Sequence, residues 1–182
     1  MKKILLTSTG FDNENIKNKF LELLETEPQN AKVLFIITAA NDPDSVRILS
    51  GCLDDLTKCG IQDKNITIYD LHERLPQDEI NQYDAIYVCG GNTDRLVARM
   101  AEIDFRTTAT NYTNQGGIYI GVSAGSICAS GAYQNGLGFI DNIIDAHCEN
   151  GSPNGPITTT DYIFLTDNQA IFITDTEKVI FE

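Results

Sequence analysis

Gly117-Ile118-Tyr119-Ile120-Gly121-Val122-Ser123-Ala124-Gly125 is a short apolar run that breaks abruptly into small residues. Its first six residues predict a strand buried on both faces, because no polar side chain alternates with the apolar ones. Its last five match G-x-S-x-G, the pattern of a tight turn that lifts a serine hydroxyl above the end of a sheet. Small neighbours are needed there so that the flanking backbone does not clash. Ser126-Ile127-Cys128-Ala129 continues as a small-residue helix start. The Ala124 N–H then sits at a helix N-terminus, where an amide and the helix dipole can stabilise an oxyanion. Ser123 is the candidate nucleophile.

Reading outward, short apolar runs alternate with longer amphipathic ones. Ile4 to Leu6, Lys32 to Ile37, Ile66 to Tyr69 and Ala85 to Val88 predict further strands. Ile16, Phe20, Leu21, Leu23 and Leu24 recur at helical spacing. Asp42-Pro43 opens a second helix with Val46, Leu49, Leu53 and Leu56 on one face, and Gly60 is its stop. Helical segments follow around Leu96 to Met100 and Phe105 to Tyr112. Strands apolar on both faces and separated by helices describe a three-layer αβα fold around a mostly parallel sheet. Past Ile157 the spacing tightens. Tyr162 to Leu165, Ala170 to Ile173 and Lys178 to Phe181 predict an antiparallel C-terminal extension. No repeat or linker interrupts the pattern, and 182 residues suit one domain over 1–182.

Composition narrows the function. The formal net charge of -13 argues against nucleic acid and against an anionic membrane surface, both of which need concentrated Lys and Arg. The apolar start Ile4-Leu5-Leu6 breaks at Thr7-Ser8-Thr9-Gly10, too soon for a leader, and no run reaches the length of a membrane span. The five cysteines, Cys52, Cys59, Cys89, Cys128 and Cys148, are odd in number and form no C-x-x-C pair. Free thiols in a reducing compartment, the cytoplasm, are the expectation. The oligomeric state stays open, with a homodimer among the options.

A serine nucleophile needs a base, and the chain has two histidines. His72, in Leu71-His72-Glu73-Arg74, reads as part of a solvated connection. His147 ends the apolar run Ile143-Ile144-Asp145-Ala146, where a base could swing over the nucleophile. A second glycine corner, Cys89-Gly90-Gly91-Asn92-Thr93, follows the strand Ala85 to Val88. It lets backbone approach a ligand, and Gly91 is the best-placed second oxyanion donor. The same residues also serve as a tight turn with Thr93 capping the next helix. No G-x-G-x-x-G follows a strand, so a dinucleotide site is unsupported.

Gly90-Gly91-Asn92-Thr93 followed by Gly121-Val122-Ser123-Ala124-Gly125-Ser126 resembles peptidase family S51, the dipeptidase E and cyanophycinase group. Leu137-Gly138-Phe139-Ile140-Asp141 leading to His147, and Leu165 to Ala170 as a terminal hairpin, extend the resemblance over most of the chain. It implies a flavodoxin-like sheet related to class I glutamine amidotransferases, with serine in place of their cysteine, and neither a metal nor an organic cofactor. It also implies roles. Ser123 attacks the scissile carbonyl, His147 carries the proton, and the amides of Gly91 and Ala124 hold the oxyanion. The partner is a small peptide substrate, cleaved after an N-terminal acidic residue as in Asp-X dipeptides. Two features depart from the family. Ala129 to Gly138 is short where many members place the third, acidic residue of the triad, which leaves Asp141, Asp145 and Glu149 unassigned. No arginine follows His147 to pair a substrate carboxylate, the last being Arg106. A serine exopeptidase is the leading reading. A catalytically impaired small-ligand-binding homologue and an amide hydrolase acting on a non-peptide substrate are the alternatives.

Overall fold

The computed structural model describes all residues from Met1 to Glu182. In chain order the elements are β1 (Lys3–Thr7), α1 (Glu14–Leu23), β2 (Val33–Ile36), α2 (Pro43–Lys58), β3 (Ile66–Tyr69), α3 (Gln77–Ile80), β4 (Ala85–Val88), α4 (Thr93–Glu102), α5 (Phe105–Asn114), β5 (Ile118–Val122) and α6 (Ala124–Ile127). Five short strands complete the chain: β6 (Ile143–Asp145), β7 (Gly155–Pro156), β8 (Tyr162–Phe164), β9 (Ala170–Ile173) and β10 (Lys178–Phe181).

The main sheet runs β3-β2-β4-β5-β1-β9-β10-β7. From β3 to β1 every pairing is parallel; β9, β10 and β7 add antiparallel strands. The chain moves along the sheet one way from β1 through β2 to β3, then reverses to reach β4 and β5. Crossovers of one hand then put helices on both faces. Ile16, Phe20, Cys52 and Leu56 of α1 and α2 pack with Phe35 and Tyr87 on one side. Leu96 and Met100 of α4 and Ala109 of α5 pack with Ile86 and Tyr119 on the other. Covered on both faces, β1, β2, β4 and β5 are buried at every residue. The three-layer, mostly parallel α/β architecture is the one the apolar runs predict.

Two expectations need correction. The apolar face of α2 differs from the helical count: Leu56 is buried and Leu49 and Leu53 pack at the core margin, but Val46 is 51% exposed. Cys52 and Asp55 turn inward instead. The cause is position, because the first half of α2 overhangs the sheet end and borders a cavity there. Its start is as expected, with Asp42 and Ser45 forming a capping box that spans Pro43 in the first turn, and Gly60 follows its end at φ +90. The second correction concerns the C-terminal extension. Tyr162–Phe164 is not part of it. β8 leaves the main sheet and pairs in parallel with β6, Ile143 facing Tyr162 and Asp145 facing Phe164. Leu165 to Ala170 therefore joins two sheets rather than closing a hairpin.

Candidate active site

Ser8, Gly90 and Ser123 follow β1, β4 and β5, three neighbours in the sheet, so all three meet at one end of it. This is the edge where open parallel sheets bind ligands. Ser123 adopts φ 49 and ψ -108, a conformation that non-glycine residues rarely hold. Its N–H donates to the Thr7 carbonyl at 2.9 Å, and its own carbonyl accepts from Ser126 and Ile127 at 2.8 and 2.9 Å. The Ser126 hydroxyl accepts from the Thr7 N–H at 2.9 Å and lies 2.7 Å from the carbonyls of Thr7 and Gly121. The turn is thereby tied to both strands beneath it. Its glycines are steric requirements. A Cβ on Gly121 would fall 2.4 Å from the Gly125 carbonyl oxygen, and one on Gly125 would fall 2.3 Å from that of Val88.

His147 stands outside β6 in the left-handed region, at φ 61. Its Nε2 lies 3.1 Å from Ser123 Oγ, and its Nδ1 lies 2.7 Å from Asp167 Oδ1. A carboxylate that accepts from Nδ1–H leaves Nε2 of a neutral imidazole as the atom able to accept from the serine hydroxyl. The third member of this chain of hydrogen bonds is thus Asp167. Asp141, Asp145 and Glu149 are all exposed, and none hydrogen-bonds His147. The parallel pairing of β6 with β8 explains the substitution. It aligns the ends of the two strands, so His147, two residues past β6, meets Asp167, three residues past β8. Leu165 N–H to Asp145 O at 2.8 Å and Cys148 N–H to Leu165 O at 2.9 Å extend the ladder into the site.

The loop after β1 clamps both partners. Ser8 Oγ accepts from the His147 N–H at 3.2 Å and donates to the Leu165 carbonyl at 3.2 Å. Thr9 Oγ1 donates to the Asp167 carbonyl at 2.8 Å. Nothing in the sequence gives Ser8, Thr9 or Asp167 a role in the site. Ser8 and Thr9 read only as the break after the first strand, and Asp167 only as a turn residue. The His147 and Asp167 side chains are 50% and 61% exposed, so the pair faces water.

Gly90 and Gly91 close the opposite side, and the cap of α4 just beyond them is Asn92, whose side-chain oxygen accepts from the Arg95 N–H at 2.8 Å, rather than Thr93, which is already the first helical residue. A Cβ on Gly90 would lie 3.1 Å from Ser123 Cβ. Gly91 has φ +135 and would drive a Cβ to 2.3 Å from the Ala39 carbonyl oxygen. Its N–H has no acceptor in the chain. Ala124 is the first residue of α6, so its N–H lacks an intrahelical partner. The helix is a single turn, shorter than the sequence suggests, and local N–H groups rather than a long macrodipole supply the positive field. Ser123, His147, Gly91 and Asp55 line a cavity of about 470 Å³, within the usual size of small-molecule sites. His72 lies elsewhere, 64% exposed beside Glu73. No three His, Cys, Asp or Glu side chains are grouped to hold a metal ion. All five cysteines are free; burial pushes the Cys59 and Cys128 thiols up to about 12, so both stay protonated.

The sequence model of peptidase family S51 matches residues 4–181. The chain belongs to peptidase family S51. Two solved structures share its fold. One is a candidate peptidase E protein from Listeria monocytogenes EGD-e, with a TM-score of 0.75 and 21% identity over 100% of this chain and 98% of that one. The other is a peptidase from an acI-B1 Actinobacterium, with a TM-score of 0.66 and 16% identity over 95% of this chain and 83% of that one. No curated protein sequence matches significantly. Membership of family S51 makes the chain a peptidase. No helix of this S51 protein is long and apolar enough to cross a membrane.

Proposed function

We propose that this S51 peptidase is a serine exopeptidase acting on short peptides. The observation that carries the reading is the unbroken line Ser123 Oγ, His147 Nε2, His147 Nδ1, Asp167 Oδ1, with steps of 3.1 and 2.7 Å across the imidazole. Ser123 attacks the scissile carbonyl while His147 takes its proton, and the Asp167 carboxylate stabilises the imidazolium. The amides of Gly91 and Ala124 receive the oxyanion. His147 then protonates the leaving amine, and water repeats the sequence to release the acyl group. The ligand-binding alternative rests on the short segments before and after His147; a carboxylate 2.7 Å from His147 Nδ1, that of Asp167, favours turnover instead.

Substrate choice follows from the walls. The cations bordering the cavity, Arg47 and Lys58, both come from α2 rather than from the segment after His147. Arg47 is 79% exposed and paired with Asp44 at 3.0 Å, so it is a weaker anchor for an acidic substrate than a buried fork. The test is hydrolysis of Asp-X, Glu-X and Ala-X dipeptides by wild-type and Ser123→Ala protein. Ser123-dependent cleavage of any member supports the exopeptidase, and the ranking reports the acidic preference. Folded protein that cleaves none, yet hydrolyses non-peptide amides, would replace it with the amide hydrolase.

A further inference from the structure

Asp55 is a carboxylate to which the hydrolytic sequence gives no task. It sits on α2 with 5% of its surface exposed. Its Oδ2 accepts from the Tyr87 hydroxyl at 2.8 Å and from the Phe11 N–H at 3.0 Å. Both donors are neutral, and every ion pair of the chain lies elsewhere. Oδ1 accepts nothing from the chain. It is not sealed in either, because Thr38 Oγ1 is the one buried side-chain polar atom left without a partner. Gly10 makes room for the carboxylate, since a Cβ there would fall 2.1 Å from Asp55 Oδ2 and 2.8 Å from the Tyr87 hydroxyl.

A carboxylate shielded from water and held only by neutral donors is costly until a cation joins it. Burial accordingly pushes the Asp55 carboxyl above its ordinary value, against the smaller opposing pull of the Tyr87 and Phe11 hydrogen bonds and of the Lys58 charge, which makes no ion pair with it. Two openings reach this residue. One is a recess of about 120 Å³ beside α1, bordered by Lys58 and by Lys17, which Glu14 already engages at 2.9 Å. The other is the cavity of about 470 Å³ that holds Ser123 and His147, and only this one has room for a substrate. Asp12 and Asp54 border the same cavity and add negative potential. Of its two cations, Lys58 is exposed and makes no ion pair with Asp55, and Arg47 is held by Asp44.

We infer that Asp55 receives a primary ammonium group of the substrate within the active-site cavity, so that a cationic amine is required for tight binding. The inference rests on the peptidase reading for the cavity's purpose and deepens it. The ammonium has two sources in peptides: the free α-amine of the first residue, or the side chain of a lysine there.

Binding to the full-length Ser123→Ala protein separates them, because no probe is consumed. The probes are alanine amide, Nα-acetylalanine amide and Nα-acetyllysine amide, followed by calorimetry. At least one cationic probe is expected to bind about 10- to 100-fold more tightly than the neutral one, the range for a hydrogen bond to a charged group. Preference for alanine amide assigns the α-amine; preference for the lysine probe assigns a basic side chain. Adding Asp55→Asn should erase the preference, with Asp55→Ser as the substitute if the Asn variant does not fold. Equal binding of all three probes, no binding of either cation, or a preference that survives loss of the carboxylate would overturn the inference. Since no turnover is involved, its failure and the failure of the exopeptidase reading are read separately.

Discussion

Ser123 holds φ 49 and ψ -108, a geometry that glycine accepts and serine resists. The strain is imposed by Gly121, Gly125 and the Ser126 hydroxyl, which lock the turn from three sides. Ser123→Ala and Ser123→Gly should both be inactive, but the glycine variant should be the more stable by about 1–2 kcal/mol. Denaturant unfolding measures this, and equal stability would mean that the turn is unstrained. The acid is a second residue-scale matter. Asp167→Asn should lower kcat by about 10²–10⁴-fold with little change in KM. Asp141→Asn, Asp145→Asn and Glu149→Gln should stay near wild type, and an equal loss at Asp145 would contradict the assignment. Ser123, Gly91 and His147 were legible because each carries a local signal: a motif, a glycine corner, a strand-end position. Asp167 carries none. Between Thr166 and Asn168 it has the composition of any turn, and only pairing twenty residues away brings it to His147.

That pairing belongs to the elements. β6 and β8 are three residues each, and their parallel register sets the distance between the two loops that follow. Alternation and spacing suggest antiparallel neighbours for Tyr162–Phe164, because hairpins are the usual partners of close-spaced strands. A parallel pair needs an intervening crossover that no periodicity announces; here the long connection from Ala146 to Asp161 supplies it. By contrast β2, β4 and β5 were legible as unbroken apolar runs, since both of their faces are covered. Ile144 and Ile163 are cross-strand partners, 2% and 0% exposed. Ile163→Ala should cost about 2–4 kcal/mol of stability. In the still-folded variant kcat should fall by about tenfold or more, since small misplacements of catalytic groups are expensive. Loss of stability with kcat unchanged would show that the Ser8 and Thr9 clamps position the loops unaided.

Across the whole molecule, acidic residues outnumber basic ones 26 to 13, and Asp55 is the one carried into the interior beside the site. Its folded value is raised, so the folded state holds this proton more tightly than the unfolded chain does. Ionised Asp55 therefore costs stability at neutral pH; the cost is relieved as pH falls through the raised value and is gone below the ordinary 3.8. Asp55→Asn should be at least as stable as wild type near pH 7, with the gap closing on acidification, as unfolding free energies would record. A variant less stable at every pH would make Asp55 a strut between α2 and the loop after β1. Retaining a destabilising carboxylate at a site is the usual trade of stability for function. The central claim is that His147 and Asp167 activate Ser123, and a fluorophosphonate label located by mass spectrometry tests it most directly. The adduct should form on Ser123 of the wild-type protein, be absent in Ser123→Ala, and form far more slowly in His147→Ala. A folded protein that stays unlabelled, or that labels at the same rate without His147, would contradict it.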